Sequence, residues 1–179
     1  MTANQPSSAQ NERGGESSVD EAVVRTKNLV KSYGDEVALD GLSLTVQPGE
    51  LFGVIGPDGA GKTTLFRILT SLLTPDEGTA RVLGLDVVDD YRKLRPRLGY
   101  MAGEFSLYPD LSVRENLAFF ASVFGTTPEA QMDVIRPVYQ QLEPFADRRA
   151  ADLSGGMKQK LALSCALVHR PDLLILDEP

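Results

Sequence analysis

Several kinds of residue on which common functional classes depend are scarce in this sequence. Cys165 is the only cysteine, so the chain has no internal disulfide and no set of thiolates for a zinc site. Its 18 Lys and Arg residues are outnumbered by 25 Asp and Glu residues, giving a formal net charge of −7. Without an excess of positive charge to neutralise phosphates, nucleic-acid binding is not expected. The single cysteine is typical of a reducing compartment and predicts a cytoplasmic location.

Long apolar runs are also missing. The longest, residues 117–124 and 173–176, are far shorter than the roughly 18 residues that a membrane-spanning helix needs. The N-terminus has neither a basic start nor an apolar segment, so it does not read as a secretory signal. We predict that residues 1–21 form a disordered tail and that one ordered domain follows from residue 22.

The first part of the domain predicts strands followed by a loop and a helix. Residues 22–34 and 37–47 alternate apolar and polar side chains, as antiparallel strands with one buried face do. Residues 51–56 form an apolar run that predicts a further strand. A helix is then predicted from Lys62, and short strands are predicted at 81–87 and 97–102. The helix has apolar residues at helical spacing, namely Leu65, Ile68, Leu69 and Leu72.

The second part of the domain is mainly helical. Ser112 and Glu115 form a capping box that opens a helix, and Thr127 with Pro128 predicts the start of another. Pro137 predicts a kink or break of that helix near Arg136. The first helix would turn Leu117, Phe120, Ala121 and Phe124 toward a core. A last helix would bury Met157, Leu161, Cys165 and Val168, before a buried parallel strand at 172–177.

The strongest chemical motif is a glycine-rich loop between a predicted strand and a predicted helix. It has the pattern GxxxxGK[ST], which binds polyphosphates through backbone amides, the helix N-terminus and a lysine. Its residues are Gly56, Pro57, Asp58, Gly59, Ala60, Gly61, Lys62 and Thr63. Lys62 would reach the β- and γ-phosphates, and Thr63 would bind Mg²⁺. A glycine-rich turn with a solvated lysine is the structural alternative.

Two further motifs lie near the C-terminal end. Ser154 precedes Gly155 and Gly156 at a helix start, where free amides could contact an anion, although an ordinary N-cap explains the pattern as well. Asp177 and Glu178 follow an apolar strand, where one carboxylate can hold Mg²⁺ and the other can polarise water. A solvated acidic strand end is the alternative for this pair.

In this order, the segments GPDGAGKTT, LSGGMKQK and LLILDEP resemble the nucleotide-binding domain of ABC transporters, over residues 22–179. The resemblance implies an α/β P-loop NTPase fold with a mostly parallel sheet core, an N-terminal antiparallel β part and an inserted α-helical subdomain. The subdomain would be residues 104–152 and would dock on a transmembrane permease. Similarity to drug-export members implies an ATP-hydrolysing subunit that powers an exporter at the cytoplasmic side of the cell membrane.

The resemblance also assigns roles to residues. Lys62, Thr63 and Thr64 would contact phosphates and Mg²⁺, Asp177 would hold Mg²⁺, and Glu178 would be the catalytic base. Ser154, Gly155 and Gly156 would contact ATP held by a second ATPase domain, in a homodimer, a heterodimer or a tandem protein. Tyr33 would stack on adenine, although a lone tyrosine also suits strand packing. ATP and Mg²⁺ are thus the implied cofactors.

The sequence departs from the family pattern in two places. Gly103 stands where the family has a glutamine that touches Mg²⁺, with Glu104 directly after it. A weakly active or non-hydrolysing, ATP-sensing half of an asymmetric pair is therefore the alternative function. The sequence stops at Pro179, before the family's switch histidine, so we expect an incomplete domain that is inactive alone. His169, the only histidine, is interpreted as a cap at a helix end.

Overall fold

A computed structural model describes residues 22–103 and 107–177. The predicted tail at 1–21 lies outside these residues, as do Glu104 and Glu178. The strands of the described part are β1 (Val24–Tyr33), β2 (Glu36–Val46), β3 (Glu77–Val82), β4 (Leu85–Asp86), β5 (Leu98–Met101) and β6 (Leu173–Leu176). Its helices are α1 (Lys62–Leu69), α2 (Tyr91–Leu94), α3 (Val113–Val123), α4 (Met132–Tyr139) and α5 (Gly155–Leu167).

The strands form one antiparallel sheet and one parallel pair. The antiparallel sheet has the order β2-β1-β3-β4, with Val24 facing Val46 on one side and Val82 on the other. Strands β5 and β6 are parallel, with Tyr100 beside Ile175. The fold is therefore the predicted α/β fold, with an antiparallel N-terminal part and a parallel part. Among the described residues the parallel part contains two strands.

The prediction of a strand at residues 51–56 is wrong. The segment has no strand pairing, and the side chains of Leu51 and Ile55 are 101% and 98% exposed. Phe52 and Val54 line a cavity beside β6 instead of sitting in the sheet. An apolar run shows that a segment suits a sheet, but the pairing itself needs a neighbouring strand edge. The phosphate loop is therefore preceded by unpaired backbone.

Helix α1 packs on the sheets through the face that its spacing predicts. Leu65, Ile68 and Leu69 are buried in a core that also contains Leu29 and Val82 of the antiparallel sheet. The helix ends at Leu69, and Leu72 lies beyond it with 57% of its surface exposed. Three buried side chains thus hold α1 against the sheets. Its N-terminus lies at the end of the glycine-rich loop.

The helical part has its own core, formed where α3 and α4 pack on α5. The predicted capping box is present: Ser112 accepts a bond from the Glu115 amide, and the Glu115 carboxylate accepts one from the Ser112 amide. The buried residues of this core are Val113, Leu117, Ala121, Ile135, Tyr139, Leu142, Ala150, Leu153, Leu161, Cys165 and Val168. Phe120 and Met157 pack at its edge, whereas Phe124 is 37% exposed at the end of α3.

Pro137 predicts a kink or a break near Arg136, and α4 does not break there. It begins at Met132, after a 3₁₀ turn at Glu129–Gln131 where the Thr127 hydroxyl accepts a bond from the Ala130 amide, and it continues through Pro137 to Tyr139. Pro137 removes one hydrogen bond near the C-terminal end of the helix. Burial of Ile135 and Tyr139 on either side of it offsets that loss. No helix in the described ranges is long and apolar enough to span a bilayer.

The segment after α5 joins the helical part to the parallel strands. His169 Nε2 lies 2.9 Å from the Leu98 carbonyl oxygen, and its ring stacks on Phe124 with centroids 3.7 Å apart. Arg170 pairs with Asp133 of α4, and Arg97 pairs with Asp172. His169 thus bonds to β5 across the chain, and the prediction that it caps α5 is wrong. Burial lowers its pKa, which favours the neutral ring that such a site can hold.

Candidate functional site

The glycine-rich loop reaches α1 through a tight turn. The Ala60 amide donates to the Pro57 carbonyl at 3.2 Å, and Gly59 and Gly61 both have φ of 82°. At Gly61 a Cβ atom would overlap the carbonyl oxygen of Ala38. Glycine is required at this position both for its left-handed backbone and for the close approach to β2. The second glycine of the GxxxxGK[ST] pattern, Gly61, thus has a direct physical cause.

The side chain of Lys62 folds back over the loop. Its Nζ donates to the carbonyl oxygens of Gly56 and Pro57, each at 2.8 Å. The ammonium group therefore lies among backbone atoms of the loop, where an anion would also be enclosed. Carbonyl groups are weaker partners for an ammonium than a phosphate oxygen is. A bound phosphate could replace them without a large movement of Lys62.

The start of α1 presents unbonded amides to the same place. The first hydrogen bond of α1 runs from the Leu65 amide to the Gly61 carbonyl. The amides of Lys62, Thr63 and Thr64 therefore have no backbone partner in the preceding turn. These amides and the helix dipole attract an anion. Thr64 is buried and Thr63 is partly exposed, so Thr63 has the hydroxyl that solvent or a ligand can reach.

Asp177 lies at the carboxyl end of β6. Its amide donates to the Met101 carbonyl at 2.9 Å, which extends the parallel pairing by one residue, and the residue is only 2% exposed. Asp177 and Lys62 line one cavity of about 470 Å³, together with side chains of α1 and the unpaired segment 51–54. The carboxylate at the end of the last strand thus borders the same cavity as the lysine of the loop. Glu178, the second residue of the predicted acidic pair, lies outside the described residues.

The oxygen donors near the loop suit magnesium only in part. Mg²⁺ prefers oxygen ligands, usually one or two from the protein, with waters and phosphates completing its shell. Asp177 offers a carboxylate in the cavity, and Thr63, which does not line the cavity, offers a hydroxyl at the start of α1. No cluster of three or more His, Cys, Asp or Glu side chains forms a metal site in the described ranges. The arrangement fits a metal ion that arrives with a polyphosphate better than one held by protein alone.

The second glycine motif lies on the surface at the start of α5. Ser154, Gly155 and Gly156 are all exposed, and the Ser154 carbonyl accepts the first helical bond from Lys158 at 2.9 Å. The Ser154 side chain makes no capping hydrogen bond, so the N-cap interpretation of its hydroxyl is wrong. Within the described ranges, these three residues do not line the cavity of Lys62. The start of α5 is therefore open to solvent outside that cavity.

The remaining sequence candidates are at the periphery. Tyr33 ends β1 with 49% of its surface exposed, and the Lys31 ammonium lies 6.0 Å from its ring centroid. An open ring face of this kind is available for stacking. Gly103 is exposed and offers no side chain to the cavity.

Sequence reasoning missed two residues of the site and its surroundings. Tyr100 of β5 lies beside Ile175, on the same face of the parallel pair as Asp177. Asn116 is fully buried and fastens the loop before α3: its Oδ1 accepts from the Tyr108 amide at 2.9 Å, and its Nδ2 donates to the carbonyls of Tyr108, Leu111 and Ser112. A lone tyrosine in a strand and a lone asparagine in a helix carry no motif that could have identified them.

A glycine loop that leads into a helix N-terminus, with a carboxylate from a parallel strand in the same cavity, defines the P-loop NTPase fold. Residues 39–179 match the family profile described as ABC transporter. The chain therefore belongs to the ABC transporter family.

Relatives and solved structures agree with this assignment. The chain is 45% identical over 161 residues to the probable multidrug ABC transporter ATP-binding protein YbhF of Escherichia coli K12, covering 89% of this chain and 28% of that protein. It is 44% identical over 161 residues to the Nod factor export ATP-binding protein I of Paraburkholderia xenovorans LB400, covering 89% and 53%. The chain thus spans about half the length, or less, of these relatives. A dimeric post-hydrolysis structure of the ATP-binding cassette MJ0796 with ADP and Pi matches with a TM-score of 0.74, 27% identity, and coverage of 86% and 72%.

Proposed function

We propose that this chain is the ATP-binding part of an ATP-hydrolysing subunit that powers an ABC membrane transporter of the export type. The observation that supports this most strongly is the shared cavity of Lys62 and Asp177, which joins a phosphate loop to a buried carboxylate. Relatives named for multidrug and Nod factor export support the export direction. The cargo would be selected by the permease, on which residues 104–152 would dock from the cytoplasmic side of the cell membrane.

In the proposed complex the nucleotide phosphates lie over the loop of Gly56, Pro57, Asp58, Gly59, Ala60 and Gly61. The amides of Lys62, Thr63 and Thr64 and the Lys62 ammonium bind phosphate oxygens, and Tyr33 stacks on the base. Thr63 and Asp177 would hold the Mg²⁺ that arrives with the nucleotide, and this ion would supply positive charge against the charge that develops on the phosphates. Glu178 orients and deprotonates the attacking water. The placement of Lys62 and Asp177 in one cavity supports these roles, and the role of Glu178 rests on the family resemblance.

The proposed ATPase works as a pair of domains. Ser154, Gly155 and Gly156 are exposed at the start of α5 and lie apart from the cavity of their own chain, so they are available to a nucleotide held by a second domain. The dimeric form of the ATP-binding cassette MJ0796 supports such a pairing. The second domain can be a copy of this chain, a different subunit or a tandem repeat.

The proposal is tested by titrating ATP into the protein with and without Mg²⁺. Lys62→Ala should weaken MgATP binding at least about a hundredfold, because a charge-assisted contact and the loop's only ammonium are lost. Glu178→Gln should bind MgATP as tightly as the wild type and hydrolyse it far more slowly. Lys160→Ala serves as the control, since Lys160 pairs with Gln141 on the helical part.

Two results would defeat the assignment. One is a wild-type protein, shown to be folded by circular dichroism, that has no measurable affinity for MgATP. The other is a Lys62→Ala protein whose MgATP affinity equals that of the Lys160→Ala control. Normal hydrolysis by Glu178→Gln would refute only the role given to that residue.

A further inference from the structure

Asp76, in the segment between α1 and β3, is bonded to three consecutive residues at the end of β1. Its carboxylate accepts a hydrogen bond from the Ser32 amide at 2.7 Å and another from the Lys31 ammonium at 2.6 Å. Its own amide donates to the Val30 carbonyl at 2.9 Å. One aspartate thus fastens the last turn of backbone before the β1–β2 hairpin turn.

Strand pairing alone leaves this end of β1 irregular. The last pair that β1 makes with β3 is Val30 with Glu77. On its other side, the pairing of β1 with β2 shifts register twice over residues 29–32. Asp76 comes directly before Glu77, so its carboxylate takes the place of a strand partner just beyond the end of the β1–β3 pairing.

The Lys31 ammonium connects Asp76 to the ring of Tyr33. The Lys31 side chain is only 14% exposed, and its Nζ lies 6.0 Å from the Tyr33 ring centroid. This separation is at the outer limit for a cation–π contact. Because Asp76 holds the ammonium, the exposed ring has an ordered neighbour on one side. An aromatic ring that is ordered before a ligand arrives costs the ligand less entropy on binding.

The hairpin that carries Tyr33 lies beside the phosphate loop. A Cβ atom at Gly61 would be 2.2 Å from the Ala38 carbonyl oxygen, so the loop touches β2 at that residue. Leu39, the next residue of β2, pairs with Lys31 across the hairpin. Tyr33 follows Lys31 by two residues. The ring and the phosphate loop therefore share one hairpin as their support.

We propose that Asp76 is a positioning residue for the base of the bound nucleotide: by bonding to Ser32 and Lys31, it fixes the Tyr33 ring on which the base stacks. This inference rests on the function proposed above and adds the residue that orders the ring. Asp76 would not itself contact the nucleotide, so its effect is confined to ligands that carry a base. An ion pair as exposed as that of Asp76 contributes little to folding stability.

The test compares the binding of MgATP with that of magnesium tripolyphosphate, which has the phosphates but no base. Asp76→Ala should weaken MgATP binding about fivefold, because the ring must then be ordered when the base binds. The affinity for magnesium tripolyphosphate should stay as in the wild type, which also shows that the variant is folded. In a Tyr33→Ala background, Asp76→Ala should have no further effect, since no ring remains to be positioned.

Asp172→Ala is the matched control. Asp172 is likewise about half exposed, lies 2.6 Å from a cationic side chain, that of Arg97, and comes directly before a strand. The control should leave both affinities unchanged. The inference is overturned if Asp76→Ala binds MgATP as tightly as the control does, if it weakens the binding of both ligands equally, or if its effect persists without the Tyr33 ring.

Two further outcomes separate this inference from the function on which it rests. A Tyr33→Ala protein with the MgATP affinity of the wild type would overturn the stacking role of Tyr33 and the role of Asp76 with it, while the ATPase assignment would stand. A folded wild type that binds neither MgATP nor magnesium tripolyphosphate would refute the proposed function itself.

Discussion

The starts of α3 and α5 look alike in sequence but differ in structure. Each has a serine at the N-cap with extended backbone, at φ −67° and ψ 170° for Ser112 and φ −66° and ψ 161° for Ser154. Ser112 is largely buried and takes part in a complete capping box. Ser154 is exposed, makes no capping bond, and is followed by two exposed glycines. The same backbone conformation therefore occurs with a side-chain cap at the start of α3 and without one at the start of α5.

The difference separates polar groups that stabilise the fold from those left accessible to a ligand. Around α3, Ser112, Glu115 and Asn116 bond to nearby backbone groups. At the start of α1 the N-cap is Gly61, and at the start of α5 the Ser154 side chain makes no capping bond and two glycines follow it. Open amides cost stability unless water or a ligand binds them. The glycine-rich starts of α1 and α5 are therefore the places where this chain is expected to bind an anion.

The largest expected effect within this comparison comes from Asn116→Ala. The substitution removes four hydrogen bonds of a fully buried side chain and leaves backbone groups of the loop without partners. We expect a loss of about 3 kcal/mol in the free energy of unfolding, measured by urea denaturation. MgATP affinity at low denaturant should stay as in the wild type, since Asn116 does not line the cavity of Lys62.

Gln140→Ala is the control for this change, because Gln140 is exposed at the end of α4. It should alter the unfolding free energy by less than about 0.5 kcal/mol. Equal stability of the two variants would show that the buried network around Asn116 does not hold the loop before α3.

Replacing the two cap serines is expected to change the unfolding free energy by smaller amounts, which differ between the two positions. Ser112→Ala should cost about 1 kcal/mol of unfolding free energy, since it breaks the capping box. Ser154→Ala should leave stability unchanged, because no capping bond is lost. Under the proposed pairing it should instead weaken ATP-dependent dimer formation, measured by analytical ultracentrifugation. Equal destabilisation by both changes would contradict the distinction between the two helix starts.

The smallest expected effect is the pH dependence due to His169, which joins α5 to β5. Burial lowers the pKa of His169 in the folded chain, so the unfolded chain binds a proton first as the pH falls below about 6.5. The folded state should therefore be most stable above that pH and lose stability as the pH falls toward the lowered pKa. His169→Gln should flatten the stability curve between pH 7 and pH 5. A steeper loss in the variant would contradict the buried, neutral ring.

Local signals made much of this fold predictable. Alternation predicted β1 and β2, helical spacing predicted the buried faces of α1 and α5, and the capping box marked the start of α3. These patterns depend on neighbours a few residues apart, which a sequence displays directly. The phosphate loop was predictable for the same reason, since its glycines, lysine and threonine are contiguous. The side of the sheet that carries Asp177 followed from the general geometry of parallel strands.

The features that escaped prediction depend on contacts distant in sequence. Residues 51–56 are apolar enough for a strand, but their pairing requires a neighbouring edge that composition cannot show. His169 bonds to Leu98, 71 residues away, and Tyr100 shares a face with Asp177 only through the strand register. Asn116 bonds to backbone amide and carbonyl groups, which have no signature in sequence. Pro137 shows the converse case, in which packing of α4 overrides a strong local rule.

The central claim is that a magnesium nucleotide binds where the loop around Lys62 meets the carboxylate of Asp177. Its most direct test is to record amide signals by nuclear magnetic resonance while adding ATP with paramagnetic Mn²⁺ in place of Mg²⁺. The signals of Lys62, Thr63 and Asp177 should broaden beyond detection at low Mn²⁺, while those of Leu117 and Ile135 in the helical core remain. Broadening centred on the helical core, with sharp signals at Lys62 and Asp177, would contradict the account.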